Sequence, residues 1–203
     1  NEGDSGGARN TTYTNQGNKF TVVGLNDPIS LSGLDSIHTS TYIQSRDPLV
    51  IDANVVVSDP DLEYPPTSGN WSGASLEVGR DDAGGSESIV GNTNDLISAS
   101  TAGSVGSLSS ASGSAVVNGV TIGSYINLDG VLKIVFNGNA TTSAVNTLIN
   151  NLTYSTTVTA PGSLQEDEVT LRLIVSDQNN NGSGSEVVGT GSDQGPGGAT
   201  IAS

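Results

Sequence analysis

Two aspartates one residue apart form the most informative chemical pattern in this sequence. Asp59 and Asp61 flank Pro60 and follow the apolar run of residues 49–57. Calcium is a hard cation that takes roughly six to eight oxygen ligands from carboxylates, carbonyls and waters. Because proline limits the backbone between them, both carboxylates can turn toward one ion at the end of a strand. The pattern predicts a calcium site, and the alternative is a solvated Asp-Pro-Asp turn.

Other aspartates stand at or near the ends of predicted strands. Each of them alone is more typical of a turn, but two or three converging at one end of a β-structure would complete a site. The candidate metal ligands are Asp27, Asp52, Asp59, Asp61, Asp81, Asp82, Asp177 and Asp193.

A ligand-binding site is predicted at Asp177, Asp193 and Gln194, helped by the loop that carries Asp82. Asp177 ends a predicted strand, and the glycines around Asp193 allow close approach of a backbone. A calcium ion held there could accept the carboxylate of a peptide C-terminus, or two hydroxyls of a sugar. The alternative is a flexible loop with no partner.

Catalysis finds little support in the residue types. His38 is the single histidine and cysteine is absent, which disfavours zinc and excludes a thiol nucleophile. No Gly-x-Ser-x-Gly elbow occurs. With one Trp, five Tyr and two Phe, the chain is poor in the aromatic platforms of a glycosidase cleft. We therefore expect a protein that is not an enzyme.

The charge balance restricts the partners. The 203 residues include 21 Asp plus Glu against 6 Lys plus Arg, a net charge of -15. Such a surface repels nucleic acid and anionic membranes, and divalent cations would relieve its self-repulsion. No apolar stretch is long enough to cross a bilayer. We expect no nucleic-acid partner and no membrane insertion, and the absence of Met suggests a fragment of a longer chain.

Periodicity places the elements of secondary structure. Asn118-Gly119 and Asp129-Gly130 each separate two β-like runs, which predicts two hairpins. Val145, Leu148, Ile149 and Leu152 have helical spacing, with Thr142 or Ser143 as the N-cap. The stretch 98–113 offers little to bury, and 179–198 reads as a long Gly-rich loop. We predict an all-β, antiparallel, Ig-like sandwich over residues 25–203, with one short helix and long Gly-rich loops. Residues 1–24 read as a tail or the end of a preceding module.

Several segments together resemble the cadherin-like β-sandwich modules of giant bacterial RTX-type adhesins. The segments are Leu25-Asn26-Asp27-Pro28, Ser32-Gly33-Leu34-Asp35, the run from Val50 to Leu62 that includes Ile51-Asp52 and Asp59-Pro60-Asp61, Trp71 to Val78, Leu152-Thr153-Tyr154-Ser155 and Leu171 to Asp177. One departure is Gln44, where the family often has Glu before the Ile-Asp strand.

The resemblance implies calcium as cofactor and an extracellular location on a bacterial cell surface. It also implies a monomeric module within a multidomain chain. The expected function is adhesion, through a peptide or protein end, or a glycan, on another cell surface. The alternative is a calcium-rigidified spacer repeat without a ligand.

Overall fold

A computed structural model of the chain describes residues 27–34, 47–63, 69–81, 88–100, 104–157 and 169–178, and the backbone of residues 11–15, 18–22 and 201–202. Antiparallel strands and one short helix account for the regular structure of this part of the chain. The elements are β1 (Thr11–Asn15), β2 (Asn18–Val22), β3 (Ser30–Ser32), β4 (Leu49–Val50), β5 (Val56–Ser58), β6 (Ser75–Asp81), β7 (Ile89–Val90), β8 (Asp95–Ala99), β9 (Ser112–Val117), β10 (Val120–Leu128), β11 (Val131–Phe136), α1 (Thr142–Ile149), β12 (Leu152–Thr156), β13 (Leu171–Ser176) and β14 (Ile201–Ala202).

The strands form one large sheet and three smaller ones. The large sheet has seven strands in the order β14-β13-β6-β11-β10-β9, with β7 also paired to β6. The second sheet has the order β4-β12-β8, and β3 pairs with β5. Residues within 1–24, predicted as a tail or the end of a preceding module, contribute the β1–β2 hairpin. The prediction of an antiparallel all-β fold with a short helix is thus confirmed.

Both predicted hairpins are present, and they share β10. Asn118 and Gly119 have φ of 51° and 78°, and Asp129 and Gly130 have φ of 53° and 75°. Positive φ at both central residues is the signature of the type I′ turn, whose twist matches that of the flanking strands. The two β-like runs on either side of Gly123 form one strand with a bulge, because the register with β9 shifts between Thr121 and Gly123.

A single apolar core lies between the large sheet and the β4-β12-β8 sheet. Trp71 is fully buried and meets Phe136 edge-on, with ring centroids 6.5 Å apart. Asn127 of β10 joins the sheets, since its Nδ2 donates to the carbonyl of Ile97 in β8 at 2.5 Å. Trp71 is therefore a central side chain of the core.

The helix α1 packs across the core through Val145, Leu148 and Ile149. Its N-cap is Thr141, whose hydroxyl accepts from the amide of Ala144 at 3.2 Å. The prediction of Thr142 or Ser143 as the cap is therefore wrong by one or two residues. Leu152 also lies outside the helix, because the chain turns into β12 at that residue.

The stretch 98–113 contains more structure than its composition suggested. Its first residues end β8, Val105 bridges to Val117, and its last residues begin β9. Leu108 is fully buried. The expectation that this stretch buries little is wrong, because its two large apolar side chains both reach the core.

Candidate metal site

The candidate site lies where the chain leaves β5 and β13 and where it enters β3. Asp59 follows β5 directly, and Asp177 follows β13 directly. Asp27 precedes β3, whose residue Ser30 is paired with Ser58 at the end of β5. Antiparallel pairing of β3 and β5 thus brings residues 27–29 beside the Asp59-Pro60-Asp61 turn.

Asp59 is completely buried and is only half satisfied. Its Oδ1 accepts from the amides of Asp61 at 2.9 Å and Leu62 at 3.1 Å, which fixes the turn around Pro60. Its Oδ2 is buried and receives no hydrogen bond. A buried carboxylate oxygen without a donor is costly, so it marks a place where a proton or a cation is needed.

Asp61 ties the turn to the segment that leads into β3. The backbone N–H of Asp27 donates to Oδ2 of Asp61 at 2.6 Å. Asp61 itself is buried to all but 8% of its surface. Asp177 is completely buried as well, and its charge acts on Asp59. Two of the predicted ligands, Asp61 and Asp177, therefore lie near enough for their charges to act on Asp59, and Asp27 is hydrogen-bonded to Asp61.

The surroundings of Asp59 together raise its pKa from 3.8 to about 7, and burial of the carboxyl is the largest cause. The two amide donors to Oδ1 act in the opposite direction and stabilise the charged form. The neighbouring charges of Asp61 and Asp177 are smaller contributions that act in the same direction as burial. Near neutral pH this carboxyl is thus partly protonated, and a bound cation could take the place of the proton.

The carboxylate oxygens suit calcium in their chemistry, but the side chains do not converge on one point. Among the residues with described side chains, no three acidic or histidine groups already form a metal-binding cluster. The carboxylates of Asp59, Asp61 and Asp177 interact by charge, and Oδ2 of Asp59 awaits a partner. Calcium accepts carbonyl and water oxygens beside carboxylates and tolerates irregular geometry, so it suits such a partial set.

The position of β5 depends on a residue that the sequence did not single out. The side-chain amide of Asn146 in α1 pairs with the backbone of Val57 as a neighbouring strand would. It accepts from the amide of Val57 at 2.7 Å and donates to the carbonyl of Val57 at 3.1 Å. A polar residue beside the apolar helix positions was the available signal. These bonds hold the end of β5 two residues before Asp59.

Two further polar contacts hold the end of β13. The Ser176 hydroxyl accepts from the amide of Gln178 at 3.2 Å, and the Gln178 side chain donates to the hydroxyl of Ser75 at 3.2 Å. Ser75 and Ser176 are both buried and are paired across β6 and β13. They fix the backbone on both sides of Asp177.

The remaining predicted ligands lie elsewhere. Asp52 is buried in the connection from β4 to β5, where its Oδ1 accepts from the amide of Asn54 at 3.1 Å. Asp81 pairs with Arg172 at 2.9 Å. Asp81 lies at the end of β6, whereas Asp177 lies near the start of β6, because β13 runs antiparallel to it. Asp81 therefore does not help to form a site around Asp177. Asp82, Asp193, Gln194, His38 and Gln44 lie outside the described residues.

An ion pair that the sequence did not suggest joins the two sheets, with a buried carboxylate and a partly exposed guanidinium. Arg80 of β6 pairs with Asp95 of β8, its Nη2 lying 3.0 Å from Oδ1. The hydroxyl of Tyr154 in β12 donates to the same Oδ1 at 3.0 Å. Burial, and then the hydrogen bond to Asp95, raises the pKa of Tyr154 to about 12. With its charge and acceptors satisfied in this way, Asp95 serves packing rather than chemistry.

Comparison with protein-family models, curated proteins and solved structures gives no match for this chain. Function is therefore argued from the arrangement of its residues. None of the helical structure in the described ranges is long and apolar enough to span a bilayer.

Proposed function

We propose that this chain is a calcium-stabilised β-sandwich module of an extracellular bacterial adhesin, with the ion bound by Asp59, Asp61 and Asp177. The observation that supports the proposal is Oδ2 of Asp59, which is buried and has no donor. Two amides occupy Oδ1 and orient the carboxylate, so the second oxygen is presented in a fixed direction.

A divalent cation is the partner that best suits this environment. The chain carries a net charge of -15, and the charges of Asp61 and Asp177 both act on the buried carboxyl of Asp59. A proton would neutralise Asp59 alone, whereas a calcium ion also offsets the charges of Asp61 and Asp177. Extracellular calcium is abundant enough for sites of modest affinity, which supports the proposed location.

Burial of the ligands favours a structural role for the ion. Asp59 and Asp177 are 0% exposed, so these ligands offer little access to an external molecule. The ion would join the end of β5, the end of β13 and the segment before β3 into one rigid unit. This supports the spacer-like function that stiffens a long adhesin, and we propose no catalytic role.

Ligand binding beside the ion stays a prediction. The predicted ligand site consists of Asp82, Asp193 and Gln194 beside Asp177. There a peptide or protein end, or a glycan, would occupy an open coordination position of the calcium ion. The buried carboxylates of Asp59 and Asp177 do not require such a ligand.

Thermal unfolding with and without calcium tests the proposed function. Calcium at about 10 mM, roughly 100 times a dissociation constant near 10⁻⁴ M, should stabilise the fold by about 2.7 kcal/mol, or about 5–10 °C in Tm. Asp59→Asn should weaken that response strongly, because the amide oxygen can still bind calcium but carries no net negative charge. Asp129→Asn is the matched control, since Asp129 lies exposed in a turn where Asn is equally suited.

An unchanged melting curve after chelation would refute the calcium site. So would a full calcium response in Asp59→Asn, because it would place the ion elsewhere in the chain.

A further inference from the structure

Strand β9 forms one edge of the large sheet and pairs on one side with β10. Its backbone groups alternate in direction. The carbonyl of Ala111, just before β9, accepts from the amide of Asn127 in β10 at 2.9 Å, whereas that of Val116 accepts from Gly106 on the opposite side at 2.9 Å. The even-numbered residues of β9 therefore direct N–H and C=O away from β10.

One half of this edge is covered and the other half is open. The segment 104–106 covers Val116 and Val117, and the carbonyl of Ser104 accepts from the amide of Asn118 at 2.7 Å. Ser112 and Ser114 are exposed, and no described residue bonds to their backbone on the side away from β10. Their N–H and C=O groups form a short open ladder in line with the covered half.

The open half carries none of the usual devices that protect a sheet edge. Lysine, proline and bulges blunt edges in natural proteins. The sequence between Asp95 and Asp129 contains no charged residue and no proline, and the bulge near Ile122 lies on β10. The ring of Tyr125 covers Gly113, since a Cβ on that glycine would lie 3.0 Å from it. An aromatic ring over a strand glycine keeps the strand extended.

We propose that the Ser112–Ser114 edge of β9 binds an extended segment of a partner protein, which adds as a further strand of the large sheet. Main-chain hydrogen bonds would supply the affinity, and alternate side chains the selectivity. Ile126 is 54% exposed and lies opposite Ser112 on the solvent face of the sheet. Ile126 thus makes the solvent face beside the open edge apolar, which favours apolar side chains on that face of the added strand.

Charge identifies the class of partner. The chain carries a net charge of -15, so a basic segment is attracted over long range. Two copies of this chain would repel each other for the same reason, which disfavours edge-to-edge pairing of β9 with itself. The occupant is therefore an extended segment of another protein, with β-branched apolar and basic residues in alternation.

The probe is a seven-residue synthetic peptide that alternates valine with lysine, and a peptide that alternates valine with glutamate is its control. The lysine peptide should bind at least about tenfold more tightly in isothermal titration. Ser114→Pro removes an outward N–H at a position where an edge strand tolerates proline, so it should weaken binding about tenfold. Ser114→Ala keeps the backbone and should bind as the original protein does.

A second measurement uses the unaltered protein, in case Ser114→Pro fails to fold. Methylation of alternate backbone nitrogens of the lysine peptide, in the register that faces β9, should abolish binding, while methylation in the other register should not. Equal binding of both methylated peptides, or no binding of the lysine peptide, would overturn the proposal. A dimer in sedimentation that Ser114→Pro dissociates would assign the edge to self-association and overturn it too.

Discussion

The backbone amide of Asp27 donates to Oδ2 of Asp61 at 2.6 Å, across 34 positions of the chain. Asp61 in turn donates its own amide to Oδ1 of the buried Asp59 at 2.9 Å. The segment before β3 is thus linked through Asp61 to the proposed metal ligand. An ion bound at Asp59 would therefore also restrain the backbone at Asp27, through Asp61.

Loss of the Asp61 carboxylate should release the segment before β3. Asp61→Ala removes the acceptor of the Asp27 amide, so hydrogen exchange of that amide should accelerate by about tenfold. Asp61→Asn is the matched control, because its carbonyl oxygen can still accept. Equal exchange rates in both variants would show that this hydrogen bond does not hold the segment.

The metal-free protein should lose stability as the pH rises from about 4 to about 7. The pKa of Asp59 is 3.8 in its ordinary state and about 7 in the fold, so in this window the native state binds more protons than the unfolded state. The contribution of Asp59 is therefore fully present below the lower pKa and is lost as the pH passes the upper one. Each pH unit in this window should cost at most about 1.4 kcal/mol.

Denaturant unfolding in chelator, repeated at several pH values, measures this slope. Asp59→Asn should flatten it, because an amide does not titrate. Saturating calcium should also flatten it, since the ion replaces the proton. A metal-free protein whose stability rises steadily between these pH values would contradict the assignment.

The ion pair between the sheets should matter more than an exposed one, because its carboxylate on Asp95 is buried. Asp95→Ala leaves Arg80 without its partner and should cost about 3 kcal/mol, while Tyr154→Phe removes one hydrogen bond and should cost about 1 kcal/mol. Lys133→Met breaks the exposed Lys133–Glu77 pair, 3.5 Å long, and should change the unfolding free energy by less than about 0.5 kcal/mol. Equal losses in Asp95→Ala and Lys133→Met would contradict the structure.

The two hairpin glycines offer a matched comparison. Both have positive φ, so alanine is strained at either position. At Gly119 a Cβ meets nothing within 4 Å, whereas at Gly130 it would lie 2.5 Å from the carbonyl oxygen of Asn92. Gly119→Ala should cost about 1 kcal/mol and Gly130→Ala about 3 kcal/mol or more in denaturant unfolding. Equal losses would show that the loop at Asn92 yields easily.

Features set by neighbours in sequence were predicted well. Asn118-Gly119 and Asp129-Gly130 specify their turns through their own backbone preferences, and the spacing of Val145, Leu148 and Ile149 specifies the buried face of α1. These signals need no knowledge of the rest of the fold, which is why they survive in the sequence alone.

Features set by distant residues were missed or only partly predicted. Asp95 and β8 lie where small residues dominate, and their roles depend on Arg80 and Tyr154 from other strands. Similarly, the Asp59-Pro60-Asp61 turn is local, but its meeting with Asp177 follows from the order of strands in the sheets. The same order separates Asp81 from Asp177, and no spacing rule in the sequence contains it.

The bulge in β10 changes which of its residues face the core, so the number of residues in this strand is critical. Ile122 and Gly123 are successive residues, yet both are buried, so the alternation of sides changes step between them. Removal of a single residue here would shift the register of β10 with β9. The turn at Asn118-Gly119 would then be incompatible with the inward orientation of Tyr125 and Asn127. Substitutions in β10 are therefore more tolerable than insertions or deletions, and length variation among descendants of this chain should fall outside this strand.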